Sequence, residues 1–96
     1  MARKAAARAW FLYLLECKGG TLYAGISPDP AARYAQHCAG KGARYTRSWP
    51  PLRILAAKKF PSHSAALIAE HQIKKLQRPA KLLWARKHAW KTSAAS

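Results

Sequence analysis

The chain has 96 residues and carries 18 Lys and Arg against three Asp and Glu, a formal charge of +15. That length suits one domain with a small core, burying ~60–65% of its extended-chain surface. The cationic excess points to a polyanionic partner, nucleic acid ahead of an acidic membrane surface, because each phosphate neutralised by Lys or Arg releases condensed counterions. The apolar run from Ala9 to Leu15 is too short for a membrane span of about 20 residues and ends at Glu16 without a small-residue cleavage site. Neither a membrane segment nor a secretory signal is expected, and a cytoplasmic location is. Cys17 and Cys38 lack CxxC spacing, so both are expected to be reduced and buried rather than zinc ligands.

In chain order, Trp10 to Cys17 is aromatic and apolar throughout and predicts a central strand covered on both faces. Thr21 to Ile26 predicts the returning strand. A three-residue loop, Lys18-Gly19-Gly20, places Tyr23 opposite Leu15 and on the same face as Tyr13, whereas a two-residue Gly-Gly turn would separate them. The odd loop is preferred because Gly20 can take the left-handed position it needs. Asp29 before Pro30 is a helix start, and this first helix runs to about Cys38 with Gly40 as its stop. Arg33 and His37, four residues apart, share a face of it. Gly40 to Arg47 reads as a mobile basic loop closed by Pro50-Pro51, and Leu52 to Phe60 contains the third strand. A second helix spans Ser62 or Ser64 to Gln77, burying Ala66, Ala69, Ile73 and Leu76, with Glu70 beside that stripe. Pro79 disfavours helix at Arg78 and opens a third helix carrying Leu82, Leu83 and Trp84, after which the chain frays beyond about Trp90.

Tyr13 with Phe11-Leu12, Tyr23-Ala24-Gly25, Arg33, His37 and Glu70, in that order, resemble the GIY-YIG nuclease domain, and Gly40-Lys41-Gly42-Ala43-Arg44-Tyr45-Thr46-Arg47 resembles its small single-domain bacterial branch. Phe11-Leu12 stand where that family has Gly-Ile, and Ala24 replaces an Ile; both changes spare the tyrosines and the structural Gly25. The resemblance implies a small α/β domain with a three-stranded mixed or antiparallel sheet flanked by helices. It divides the chain into a basic arm over 1–9, a nuclease-like domain over 10–84, and a helix end and tail over 85–96. It further implies a metal-dependent DNA endonuclease.

The chemistry of these side chains fits that activity. Phosphodiester hydrolysis needs an activated water, a cation for the developing charge and stabilisation of the leaving oxygen. Glu70 can hold one divalent metal, magnesium first and manganese second, with water and phosphate completing its shell. Arg33 matches two phosphate oxygens with its planar fork. Tyr13 is the candidate general base, brought toward neutrality by metal and neighbouring cations; Tyr23 positions the water or phosphate, and His37 replaces or assists the base. Lys41, Arg44 and Arg47 are candidate backbone contacts and Tyr45 a stacking surface for a splayed base. The loop lacks the GxxxxGK[ST] order, so no nucleotide cofactor is expected. Structured or single-stranded DNA is the expected partner, with RNA as the other polymer. The plainer readings are strand aromatics for the tyrosines, a solvent-facing Arg33 and His37, a Glu70–Lys74 helix pair, surface His63, His71 and His88, and packing roles for Tyr34, Trp84 and Trp90. The rival to the nuclease is a DNA- or RNA-binding module that keeps the basic surface but has little catalytic activity.

Overall fold

A computed structural model describes residues 8–91. Most of the basic arm and the tail beyond Lys91 lie outside the described residues. The strands are β1 (Trp10–Cys17), β2 (Thr21–Ser27) and β3 (Pro51–Phe60), in the order β2-β1-β3 and antiparallel throughout; no parallel pairing makes the sheet mixed. The helices are α1 (Pro30–Cys38), α2 (Arg44–Ser48), α3 (His63–Lys74) and α4 (Arg78–Lys87).

β1 occupies the centre because it can bury both faces. Leu12 and Leu14 point into a cluster with Ala24, Ala56, Ile73 and Ala85, under α3 and α4. Tyr13, Leu15 and Cys17 point the other way and pack with Tyr23, Tyr34, Ile54 and Ala57. Between Leu14 and Leu15 the pairing with β3 slips from Ala56 to Ile54, a bulge that leaves Leu55 to pack with the first cluster.

The β1–β2 connection is the three-residue turn Lys18–Gly20, which pairs Leu15 with Tyr23 and so puts both tyrosines on one face. Both Gly19 and Gly20, rather than Gly20 alone, have positive φ. α1 begins as its cap residues dictate: Asp29 Oδ1 accepts from Ala32 N at 3.1 Å, and Ser27 Oγ from Asp29 N at 3.0 Å. It ends in a Schellman turn, with Lys41 N donating to Gln36 O and Gly40 N to His37 O.

Three boundaries differ from the sequence reading. The expected mobile loop contains α2, because Thr46 turns inward and its hydroxyl donates to Ala43 O at 2.9 Å, closing a helical turn. α3 stops at Lys74 rather than Gln77, tightened at its end by bonds from Lys75 N to Gln72 O and Leu76 N to Ile73 O, so Leu76 is left 40% exposed. α4 starts at Arg78 itself, since Gln77 takes the extended cap position and leaves Pro79 within the first turn. After α4 the chain returns to the sheet: Ala57 N donates to His88 O at 3.0 Å and Trp90 N to Leu55 O at 2.9 Å.

The cost of core truncation should follow this layering. Leu14→Ala, at a residue with no exposed surface, is expected to lower the unfolding free energy by about 2–5 kcal/mol. Leu83→Ala, at a residue 55% exposed, should stay within about 0.5 kcal/mol. Urea denaturation checks both, and equal losses would contradict the assigned core.

Candidate active site

The centre of the site is a buried hydrogen-bonded chain. Tyr13 is 2% exposed and His37 1%. The Tyr13 hydroxyl lies 2.9 Å from His37 Nε2, while His37 Nδ1 lies 2.8 Å from Thr46 Oγ1. The strand projects the phenol and α1 the imidazole. Two glycines make room for them. A Cβ at Gly25 would fall 2.5 Å from Tyr13 Oη, and one at Gly42 would collide with His37 Nδ1.

Of the other expected residues, Tyr23 borders this chain and Arg33 acts on it by its charge. The Tyr23 ring lies 6.5 Å from that of Tyr13 and 5.4 Å from that of His37. Arg33 is half-buried, one turn before His37, and its Nη1 donates to Gln36 Oε1 at 2.8 Å. Glu70 lies on α3, and its charge raises the Tyr13 phenol only weakly. Its side chain is 13% exposed and its Oε2 lies 3.1 Å from Lys74 Nζ, so the expected i,i+4 pair forms as well. Lys41, Arg44 and Arg47 are exposed. Tyr45 stacks one face on Tyr23, with centroids 5.5 Å apart and planes 29° from parallel, and is 37% exposed.

Desolvation sets the protonation of the pair. Burial pushes the Tyr13 phenol up to about 12; Tyr23 and, more weakly, Glu70 act in the same direction, while the Arg33 guanidinium opposes them. Arg33 alone does not offset the loss of water, so lowering this phenol toward neutrality would fall to a bound metal. Burial and then the charge of Arg33 hold His37 below its ordinary value. The resting pair is therefore a neutral phenol against a neutral imidazole.

Sequence reasoning missed Gly42, Thr46 and Gln36. The first two had a signal: a second glycine just beyond the helix-stop Gly40, and a lone threonine among cations. The cysteines divide. Cys17 is buried, with burial raising its thiol to about 11, but Cys38 is exposed because it ends α1 on the outer side. Tyr34 and Trp84 pack as expected. His63 meets Trp10 edge-on, and no group of three His, Cys, Asp or Glu among the described residues could cage a metal.

A GIY-YIG catalytic domain accounts for these features, and the chain belongs to that family, whose model matches residues 9–88. Its nearer relatives are UPF0213 proteins. It is 54% identical to one from Cupriavidus pinatubonensis over 83% of this chain and 89% of that one. It is 46% identical to another, from Xanthomonas axonopodis pv. citri, over 82% and 78% of the two chains. The solution NMR structure of the UPF0213 protein BH0048 from Bacillus halodurans superposes with a TM-score of 0.53 at 38% identity, covering 82% of this chain and 84% of that one.

Titration should expose the pair. As pH falls below about 6.5 the unfolded chain takes up a proton before folded His37 does, so the stability tied to neutral His37 is complete above that value and drains away toward the lower folded-state value. Urea midpoints should fall as pH is lowered from about 8 to about 5. His37→Gln should reduce that fall, the remainder including His88, which burial also holds low. An unchanged profile in the variant would show that His37 titrates normally. Gly42→Ala should displace the ring and return the His37 midpoint, read by NMR, toward about 6.5; a midpoint still held low would contradict the close approach.

Proposed function

We propose that this protein is a metal-dependent endonuclease that hydrolyses phosphodiester bonds in DNA. The observation that carries the reading is the buried Tyr13–His37 hydrogen bond, bordered by the Tyr23 ring and one helical turn from Arg33. Family membership supports the reaction class. Free Tyr13 phenolate is an uneconomical base: with its value near 12, ionisation at pH 7 costs about 7 kcal/mol. Passing the proton along avoids that state. As a water attacks phosphorus, it gives its proton to Tyr13 Oη while the Tyr13 proton moves to His37 Nε2, leaving a neutral phenol and an imidazolium. The bond from phosphorus to the leaving oxygen breaks in the same displacement, and that oxygen departs with the electron pair and takes its proton from solvent. Arg33 grips the phosphate through its fork, and Tyr23 borders the water's approach.

The donor set fits a sparsely held divalent ion. Glu70 is the acidic side chain beside the site, so water and phosphate would supply the other ligands, an arrangement magnesium tolerates and manganese can share. When bound, the ion supplies charge neutralisation for the phosphoryl oxygens. Lys41, Arg44 and Arg47 would hold the backbone, and the exposed face of Tyr45 would meet a base. The second reading, a DNA- or RNA-binding module with little turnover, draws on the Glu70–Lys74 ion pair, which competes with a metal for the carboxylate.

Purified protein should be incubated with nicked, branched, single-stranded and duplex DNA and with RNA, in magnesium, manganese or chelator. Cleavage is expected only with metal, and Glu70→Ala should abolish it without weakening binding. Binding without cleavage of any substrate would establish the second reading. With ~5 phosphate contacts, the logarithmic salt slope on duplex DNA should be about −4 to −5, and neutralising Arg44 and Arg47 together should make it shallower by about two contacts. A flat salt response would contradict phosphate-driven binding.

A further inference from the structure

Thr46 lies outside the residues that would touch substrate, yet it is 1% exposed and bonded on two sides. Its hydroxyl has one proton. Ala43 O, at 2.9 Å, can only accept, so that proton is committed to the carbonyl. The Thr46 oxygen then presents a lone pair to His37 Nδ1 at 2.8 Å, a short contact that requires the ring proton to sit on Nδ1. Ala43 N–H also approaches Nδ1, but at 3.4 Å, near the limit of a useful hydrogen bond. A neutral ring protonated on Nδ1 has its lone pair on Nε2, facing the Tyr13 hydroxyl at 2.9 Å.

We infer that Thr46 is a positioning residue, holding His37 from α2 in the tautomer whose Nε2 accepts the Tyr13 proton. The opposite tautomer would aim an N–H at the Tyr13 oxygen and leave nowhere for the phenol proton to go during attack. Gly42 serves the same end, since any side chain there would displace the ring from Thr46. Neutrality of the imidazole, favoured by burial and by Arg33, keeps that lone pair available. The catalytic half of this inference rests on the hydrolase reading given above; the tautomer does not.

The test compares wild type with Thr46→Val, which keeps the branched shape and removes the hydroxyl, and Thr46→Ser, which keeps the hydroxyl. Long-range proton–nitrogen NMR of the full chain, at a pH where His37 is neutral, reads which ring nitrogen bears the proton. Wild type and Thr46→Ser are expected to show Nδ1–H, and Thr46→Val to shift toward Nε2–H. Single-turnover cleavage with magnesium should fall about 10–100-fold in Thr46→Val, within the ~10²–10⁴ span of a general base, and recover in Thr46→Ser. Wild type protonated on Nε2 overturns the assignment, and this measurement stands whether or not the valine variant folds. A folded Thr46→Val that keeps the wild-type tautomer overturns the role of Thr46. The expected tautomers with no cleavage by any form support the positioning and overturn the hydrolase reading.

Discussion

Everything at the site depends on burying a phenol against an imidazole. Tyr13 comes from the central strand and His37 from the helix laid over it, and their 2.9 Å contact satisfies two polar groups that have almost no access to water. A buried pair of this kind is destabilising unless each member finds its partner, so local geometry is tightly prescribed. Gly25 is the floor under the phenol, Gly42 the gap beside the ring, and Thr46 the partner for its far nitrogen. The hairpin register, the α1 caps and the inward turn of α2 can each be understood as conditions for that one contact.

Burial also divides the labour between the two rings. In water a phenol and an imidazole differ by several pKa units, with the imidazole already the better proton acceptor near neutrality. Here desolvation moves Tyr13 up and His37 down, so both are uncharged and the proton stays on the phenol until something draws it off. Arg33 is the exception in this apolar setting. Its charge favours phenolate and disfavours imidazolium, and Gln36 fixes the guanidinium that exerts it. The surrounding positive charge thus works on the same pair that it would bring phosphate to meet.

Much of this was legible in the sequence. Three strands follow from apolar runs cut by Gly and Pro, and the shared face of Tyr13 and Tyr23 follows from the odd loop alone. The resemblance that gathers Arg33, His37 and Glu70 was equally readable, though their roles are chemical proposals. What stayed hidden was short-range and conditional. Arg44-Tyr45-Thr46-Arg47-Ser48 is too short for its two arginines to make a helix alone, and α2 is held by Thr46 bonding to a neighbouring helix. The fate of the Tyr13 proton was also out of reach, since the sequence shows cations near the phenol but not the depth of its burial. Cys38 illustrates the same limit, an apolar residue whose helix turns it outward.

The return of the chain after α4 bears on how these molecules meet one another. An edge strand offers unpaired amides and carbonyls to any other strand of suitable length. Along β3 the middle of that edge is already taken, by His88 and Trp90 bonding to Ala57 and Leu55. Among the described residues, β2 is the sheet edge with no such cover. That open edge is the strand that carries Tyr23 and Gly25. A net charge of +15 makes two copies repel at low salt, so this open edge is guarded by charge rather than by a covering segment.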